Sequence, residues 1–216
     1  MNNKRLLAIS SLIDKDDILV DIGCDHAYLD IYLIKNRLCK KAIASDISEG
    51  ALNQASINIG KYGLSNEIKT IISNGLDNIE ESNLNTIVIS GMGTKTILDI
   101  LRNPKVNKIK KIIIQSNNNL EDLRRTMNKR NFKIKNELVV YDSDKYYTII
   151  EYNHGKESLN NAKMILGAFK KENKDFYVYL YNKNKIIFKN IPWYKFRKRI
   201  KVFNLLKQLK KYIHSC

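Results

Sequence analysis

Four short strings in this 216-residue chain bring together acids, small residues and amides in an order that suits ligand chemistry. The first is Val20-Asp21-Ile22-Gly23-Cys24-Asp25-His26-Ala27-Tyr28-Leu29. An apolar run ends at Asp21, and Gly23 then lets the backbone turn close to a ligand. A dinucleotide site needs G-x-G-x-x-G to admit a pyrophosphate. Here the loop holds one glycine, with Asp25 and His26 where phosphate would lie. A carboxylate at that point disfavours a pyrophosphate and suits a ligand carrying ammonium and sulfonium charge. Asp25 could equally serve as a plain helix cap. Asp21 is expected to be structural or cofactor-orienting.

The second string ends at Asp46, 25 residues after Asp21. An acid at the end of a second strand accepts hydrogen bonds from ribose hydroxyls, and Ser48 and Glu49 are suited to start the helix that follows. The third, Ser73-Asn74-Gly75-Leu76-Asp77, offers Asn74 to an adenine edge and close approach at Gly75, or else is an ordinary Asn-Gly turn. The fourth, Ile89-Ser90-Gly91-Met92-Gly93-Thr94, leaves bare backbone on both sides of Met92, as one wall of a slot for a flat base. Gln115 and Asn117 follow the next strand, and such amides hydrogen-bond base edges.

The elements that must position these strings follow from hydrophobic periodicity. Strands are expected at 18–22, 41–45, 69–72, 86–89 and 111–115, alternating with helices at 4–13, 27–36, 49–62, 94–102 and 120–129. Such alternation implies an α/β fold with a parallel sheet covered on both faces. Two further strands, 132–140 and 146–152, flank the tight turn Tyr141-Asp142-Ser143-Asp144 and form an antiparallel hairpin at one edge. That layout is the class I, Rossmann-like one, with ligands at the carboxyl ends of the strands.

The pattern changes after Gly155, and the chain is expected to divide into residues 1–154 and 155–216. Charge divides with it. Residues 156–216 hold 16 Lys and Arg against 3 Asp and Glu, whereas residues 1–155 hold 22 against 19. A segment so biased attracts a polyanion and grips its phosphates, although a lysine-rich solvated face is the plainer alternative. The tail reads as a short helix at 158–166, a helix at 175–190, and a third after Pro192. In the last helix Phe196, Ile200, Phe203, Leu206, Leu209 and Ile213 form a stripe that packs on a neighbour, as in an antiparallel pair. Lys195, Arg197, Lys198, Arg199, Lys201, Lys207, Lys210 and Lys211 are candidates for phosphate contacts. Trp193, Tyr194 and Tyr212 are candidates for base stacking, with Trp193 equally suited to pack between helices. No apolar run reaches membrane-spanning length, and no signal-peptide pattern is visible, which suggests a cytoplasmic protein. Cys24, Cys39 and Cys216 have no metal-ligand spacing, and nothing in the sequence demands an oligomer over a monomer.

On these residues the chain resembles the bacterial tRNA (adenine(22)-N1)-methyltransferase family. The matching strings are Arg5-Leu6, Asp21-Ile22-Gly23-Cys24-Asp25-His26-Ala27-Tyr28-Leu29, Ala44-Ser45-Asp46-Ile47, Asn74-Gly75-Leu76 and Gly91-Met92-Gly93. That family follows its catalytic domain with a small helical, coiled-coil-like domain, so the resemblance covers nearly the whole chain. It implies methylation of adenine N1 in tRNA with S-adenosyl-L-methionine as cofactor, held at Gly23, Asp25, His26, Asp46, Ile47 and Asn74. Asp25, His26, Gly91, Met92, Gln115 and Asn117 are then the expected reaction-site residues, and Asp21, Gly75 and Gly91 join the cofactor wall. Three positions depart from the family pattern. Asn74 stands where an Asp is usual, Thr94 where a second glycine is usual, and Ser116 where a proline is usual. Thr94 is expected to cap a helix, and Ser116 to loosen the target pocket. The competing readings are a methyltransferase for another RNA or base, a catalytically silent RNA-binding relative, and, more remotely, a dehydrogenase.

Overall fold

The computed structural model describes residues 3–216. The chain divides into two compact units, Met1–Glu157 and Ser158–Cys216, three residues beyond the division expected from the sequence. The first unit begins with helix α1 (Lys4–Ser10), whose N-cap Asn3 accepts from the Leu6 amide. Strand β1 (Ile18–Ile22), helix α2 (Tyr28–Lys35), strand β2 (Lys41–Asp46) and helix α3 (Glu49–Lys61) follow. Then come β3 (Ile68–Ile72), β4 (Thr86–Met92), α4 (Thr94–Ile100), β5 (Lys111–Ser116) and α5 (Leu120–Lys129). The long hairpin β6 (Phe132–Asp142) and β7 (Lys145–His154) closes the unit. Its turn places Ser143 and Asp144 at positive φ, as a twisted two-residue hairpin turn requires.

The seven strands form one sheet in the order β3-β2-β1-β4-β5-β7-β6. The first five are parallel neighbours, and β7 runs antiparallel to both β5 and β6. The apolar runs are near-continuous because both faces are covered. Leu19, Val88 and Ile113 point to one face and pack with Ile9, Leu29 and Leu33 of α1 and α2. Their neighbours Val20, Ile87, Ile89, Ile112 and Ile114 point to the other, against Ile97 and Leu101 and against Leu123 and Met127 of α5. Helix α3 seals the β2 end with Leu52, Ala55 and Ile59, while Tyr62 of the expected stripe caps its C-terminus and stays exposed. Buried Lys111, at the start of β5, is held by Asp17 at 2.6 Å, Asp14 at 2.5 Å and the Leu12 carbonyl at 3.0 Å. The strand order reverses between β1 and β4, so the crevice outside their carboxyl ends is the topological switch point.

The second unit contains α6 (Asn161–Leu166), α7 (Lys174–Asn190) and α8 (Phe196–Ser215). Helices α7 and α8 pack on each other along only the C-terminal part of the stripe the sequence suggests, where Leu209 is buried and Leu206 and Ile213 are half-buried. The buried positions of α8 are Val202 and Leu209, whereas Phe196, Ile200 and Phe203 are exposed. In α7, Phe176 and Tyr177 are buried, while Tyr179, Ile186 and Ile187 face outward. Tyr212 is not available for stacking on a base. Its ring packs at 5.0 Å from Phe169 and 5.2 Å from Tyr177. Arg199 is also engaged within the unit. It donates to the Ile191 carbonyl at 2.7 Å and lies 4.5 Å over the Phe188 ring. The other seven basic residues singled out, with Trp193 and Tyr194, are exposed. Trp193, at 84% exposure, does not pack between helices.

Candidate active site

A cavity of about 640 Å³ opens at the switch point. Its walls include Asp21 and Gly23 from the end of β1, Asp25 and His26 from the loop, Asp46 from the end of β2, and Ser90, Gly91 and Met92 from the end of β4. Thus Asp21, Gly23, Asp25, His26, Asp46, Gly91 and Met92, separated by up to 71 positions in sequence, share one surface.

The first loop is wound tightly. Gly23 has φ +77°, and a Cβ there would lie 2.2 Å from Met92 Cε, so the first and fourth strings meet across the cavity floor. Asp25 and Ala27 also hold positive φ, at 51° and 54°. Strain of this kind in residues with a Cβ persists only where the surroundings enforce it, and it clusters at functional sites. Asp25 does not cap the helix that follows. The N-cap is Ala27, which offers no side-chain acceptor, because the loop turns outward before the helix starts. Freed from capping, the Asp25 carboxylate is exposed and stands 3.5 Å from His26 Nε2. His26 Nδ1 is buried with no hydrogen-bond partner.

Asp46 is pinned by backbone. Its Oδ1 accepts from the Ser48 amide at 2.9 Å and Oδ2 from the Asp25 amide at 3.3 Å. Ser48 caps α3, accepting from the Ala51 amide, as its position suggested. Asp21 is buried, and its carboxyl is pushed up to about 7. Burial dominates; a hydrogen bond from Asp30 opposes it, the Asp46 charge adds to it, and the Arg5 charge opposes it.

Ile47, Asn74 and Gly75 lie outside the cavity wall. Ile47 is exposed beside Asp46. Asn74 is exposed in a turn whose register is set by Ser73, which donates to the Gly75 carbonyl at 3.0 Å. Gly75 has φ +62°, and a Cβ there would lie 3.0 Å from Ile100. The turn sets the backbone of both residues.

Gln115 and Asn117 were expected to face a base edge, and the structure uses them otherwise. The pairing of β4 and β5 shifts register between Ser90 and Met92, so the Gly91 peptide leaves the ladder. Its orphaned groups are taken up by side chains. Gln115 Oε1 accepts from the Gly91 amide at 3.0 Å, and Asn117 Nδ2 donates to the Gly91 carbonyl at 2.6 Å. The two amides also bond each other at 3.1 Å. With only 1% of its surface exposed, Gln115 holds the Gly91 loop from behind instead of meeting a base.

Thr94 and Ser116 form one feature. Their hydroxyls lie 2.8 Å apart, and both donate to the Asn118 carbonyl, at 2.6 and 3.0 Å. Thr94 is therefore not a cap, since the N-cap of α4 is Gly93. Ser116 ties the strand end to the start of α4 where loosening was expected.

Arg5 was missed as a site residue. It lines the cavity, its Nη1 donates to Gln115 Oε1 at 3.3 Å, and its guanidinium lies 5.2 Å from the Tyr147 ring centroid. The signal for it was the Arg5-Leu6 string alone, because 110 positions separate Arg5 from Gln115.

The fold and this site define a class I methyltransferase. Residues 2–150 match the family model described as a methyltransferase domain. The Bacillus subtilis tRNA (adenine(22)-N(1))-methyltransferase is 28% identical over 181 residues, 80% of this chain and 76% of its own length. The solved structure of M. capricolum TrmK in complex with S-adenosyl-homocysteine is 35% identical, superposes with TM-score 0.86, and is covered over 96% of its length by 97% of this chain. A Streptococcus pneumoniae structure in complex with S-adenosyl-L-methionine is 28% identical with TM-score 0.88, matched over 99% of this chain and 100% of that one. This chain belongs to the tRNA (adenine(22)-N1)-methyltransferase family.

Proposed function

We propose that this protein transfers a methyl group from S-adenosyl-L-methionine to N1 of adenine 22 in tRNA. The observation that carries the reading is the gathering of Asp21, Asp25, Asp46, Gly23 and the Gly91 bulge on one cavity at the switch point. The donor set fits the cofactor, because three carboxylates face a ligand that carries ammonium and sulfonium charge and a ribose diol. Asp46, pinned by two backbone amides, is the ribose acceptor. Asp21, Asp25 and His26, with bare backbone at Gly23, hold the rest, and the exposed Ile47 with Asn74 and Gly75 border the adenine side. The bound cofactor supplies an electrophilic methyl group on a sulfonium centre.

Adenine N1 has an in-plane lone pair, so the protein needs no strong base to create the nucleophile. Its task is alignment and exclusion of water. The Gly91–Met92 wall, fixed by Gln115 and Asn117, positions the flat base. Cationic charge grows on the purine as the methyl group arrives, and the Asp25 carboxylate stabilises it. The target base leaves its stack to reach the cavity. The second unit supplies phosphate contacts through Lys195, Arg197, Lys198, Lys201, Lys207, Lys210 and Lys211, with Trp193 and Tyr194 as stacking surfaces. Replacing Asp46 with Ala tests the assignment. Cofactor affinity measured by calorimetry is expected to fall at least about tenfold, the loss of a charge-assisted hydrogen bond. Unchanged affinity refutes Asp46 as the ribose acceptor.

A further inference from the structure

Asp30 sits in the first turn of α2 with 0% of its surface exposed, on the buried side of an apolar helix. No hydrogen bond of good geometry reaches either of its carboxyl oxygens. An ionised carboxylate so enclosed is untenable without a donor. What stands beside it is a second acid, Asp21, at 5% exposure on the cavity wall. Two carboxyls in contact inside a protein share one proton.

We propose that Asp30 is a positioning residue for the cofactor site: it keeps its proton, donates it in a hydrogen bond to Asp21, and so fixes Asp21 as a singly charged acceptor on the cavity wall. The inference rests on the cofactor reading given above. Every charged or titratable group around the pair fits this division of labour. Burial, then the Asp21 charge, holds the Asp30 carboxyl well above the usual carboxylate range. From β2 the Asp46 charge resists ionisation of Asp21, and from α1 the Arg5 guanidinium favours it. The Cys24 and Cys39 thiols on the flanking segments are both pushed up by burial, with Asp30 adding to it, so they remain neutral. Asp17 acts on Cys39 in the same sense. Asp25 and His26 stand on the same cavity.

The consequence is a proton-linked cofactor site. With Asp21 releasing its proton at about 7, acidification below that point removes the only charge the pair carries. A cationic ligand then binds more weakly, approaching tenfold for each further pH unit, and binding just below pH 7 releases a proton.

The test is the calorimetric affinity of the full-length protein for S-adenosyl-L-methionine, without tRNA, between about pH 6 and about pH 8, in buffers of different ionisation enthalpy. The wild type is compared with Asp30→Asn, which keeps a neutral donor to Asp21, with Asp30→Leu, which has no donor, and with Asp21→Asn, which removes the group that titrates. Asp30→Asn is expected to keep the wild-type pH profile and proton release, whereas Asp21→Asn is expected to lose about tenfold less affinity than the wild type on acidification across that range and to release no proton at its lower end. Asp30→Leu is expected to bind at least about tenfold more weakly near neutrality, because Asp21 then has no donor to favour its charged form. If Asp30→Leu does not fold, the contrast between Asp30→Asn and Asp21→Asn decides. Binding by all variants with superimposable pH profiles and equal proton release overturns the proposal and leaves the cofactor reading intact. No binding by the wild type at any pH overturns both.

Discussion

Replacing Gln115 with Leu keeps the side-chain volume near that of the original and removes every hydrogen bond it makes. In the native protein Gln115 Oε1 accepts from the Gly91 amide at 3.0 Å, Arg5 Nη1 at 3.3 Å and Ser90 Oγ at 3.4 Å, and its Nε2 holds Asn117. Those to Gly91 and Asn117, at 3.0 and 3.1 Å, are of ordinary length and the other two are long, and Gly91 is itself exposed, so water replaces part of what is removed. The expected stability cost is therefore at the low end for an abandoned donor, about 1 kcal/mol, or roughly 2–4 °C in Tm. The effect on catalysis is larger. The Gly91 peptide is outside the β4–β5 ladder, and Gln115 with Asn117 is what fixes it. A displacement of the wall by about 1 Å costs of the order of a hundredfold in rate when alignment is the main contribution. Single-turnover methylation of tRNA with saturating cofactor is expected to slow by between about tenfold and a hundredfold, with cofactor affinity changed less than about threefold. A Tm loss of the stated size with an unchanged rate refutes the idea that Gln115 positions the acceptor. A parallel loss of cofactor affinity places its role on the cofactor side instead.

Three further outcomes are expected. Thr94→Val and Ser116→Ala are expected to be coupled, with the double variant departing from additivity by about 0.5 kcal/mol or more in denaturant unfolding, because their hydroxyls share the Asn118 carbonyl; strict additivity refutes the shared network. Reversing the charge of Lys195, Lys198, Lys207 and Lys211 is expected to weaken tRNA binding at least about tenfold and to reduce the salt slope by about 0.7–0.9 for each phosphate that the variant no longer neutralises. Cofactor affinity in that variant stays unchanged, and an unchanged salt slope removes the second unit from phosphate recognition. The third outcome concerns pH. Asp21 has its folded-state pKa raised from 3.8 to about 7, so the folded chain holds more protons than the unfolded one in between. Its stabilising contribution is complete below the unfolded value and is lost as pH rises through about 7. The Tm of the cofactor-free protein is thus expected to fall from about pH 5 to about pH 8, with a smaller fall in Asp30→Asn. The Asp14 carboxyl, held low by its hydrogen bond with Lys111, acts in the opposite sense but only at lower pH, since its stabilisation is lost as pH falls through the folded value. A Tm that rises across the window contradicts the assignment of a proton-sharing pair.

The sheet was legible because its strands are buried on both faces and read as unbroken β-branched runs such as Lys111–Ser116, bounded by turns. The ends of those strands, and therefore Asp21, Gly23, Asp46 and Gly91, followed once parallel order was recognised. The reach of the amides did not. Gln115 and Asn117 were placed at the correct strand end, but whether they face outward depends on the bulge at Gly91, which is a property of strand pairing and leaves no local pattern. Asp30 was overlooked for a related reason: one acid inside the string Tyr-Leu-Asp-Ile-Tyr-Leu-Ile-Lys reads as the polar side of a helix until the buried side is known. In the second unit, period located part of the packed face, Leu209 with the half-buried Leu206 and Ile213, and misled at the start of α8. Phe196, Ile200 and Phe203 recur at helical spacing yet remain exposed, because a stripe says that a face is apolar and not that a neighbour covers it. No helix among the described residues is long and apolar enough to cross a membrane.

The most direct test of the account is methyl transfer from labelled S-adenosyl-L-methionine to unmodified bacterial tRNAs, followed by mapping of the modified nucleotide. The account predicts N1-methyladenosine at adenine 22, with Asn74, Thr94 and Ser116 tolerated at their positions. A mark at another nucleotide or atom contradicts the assigned target, and no transfer by a protein that binds both cofactor and tRNA contradicts the assigned activity.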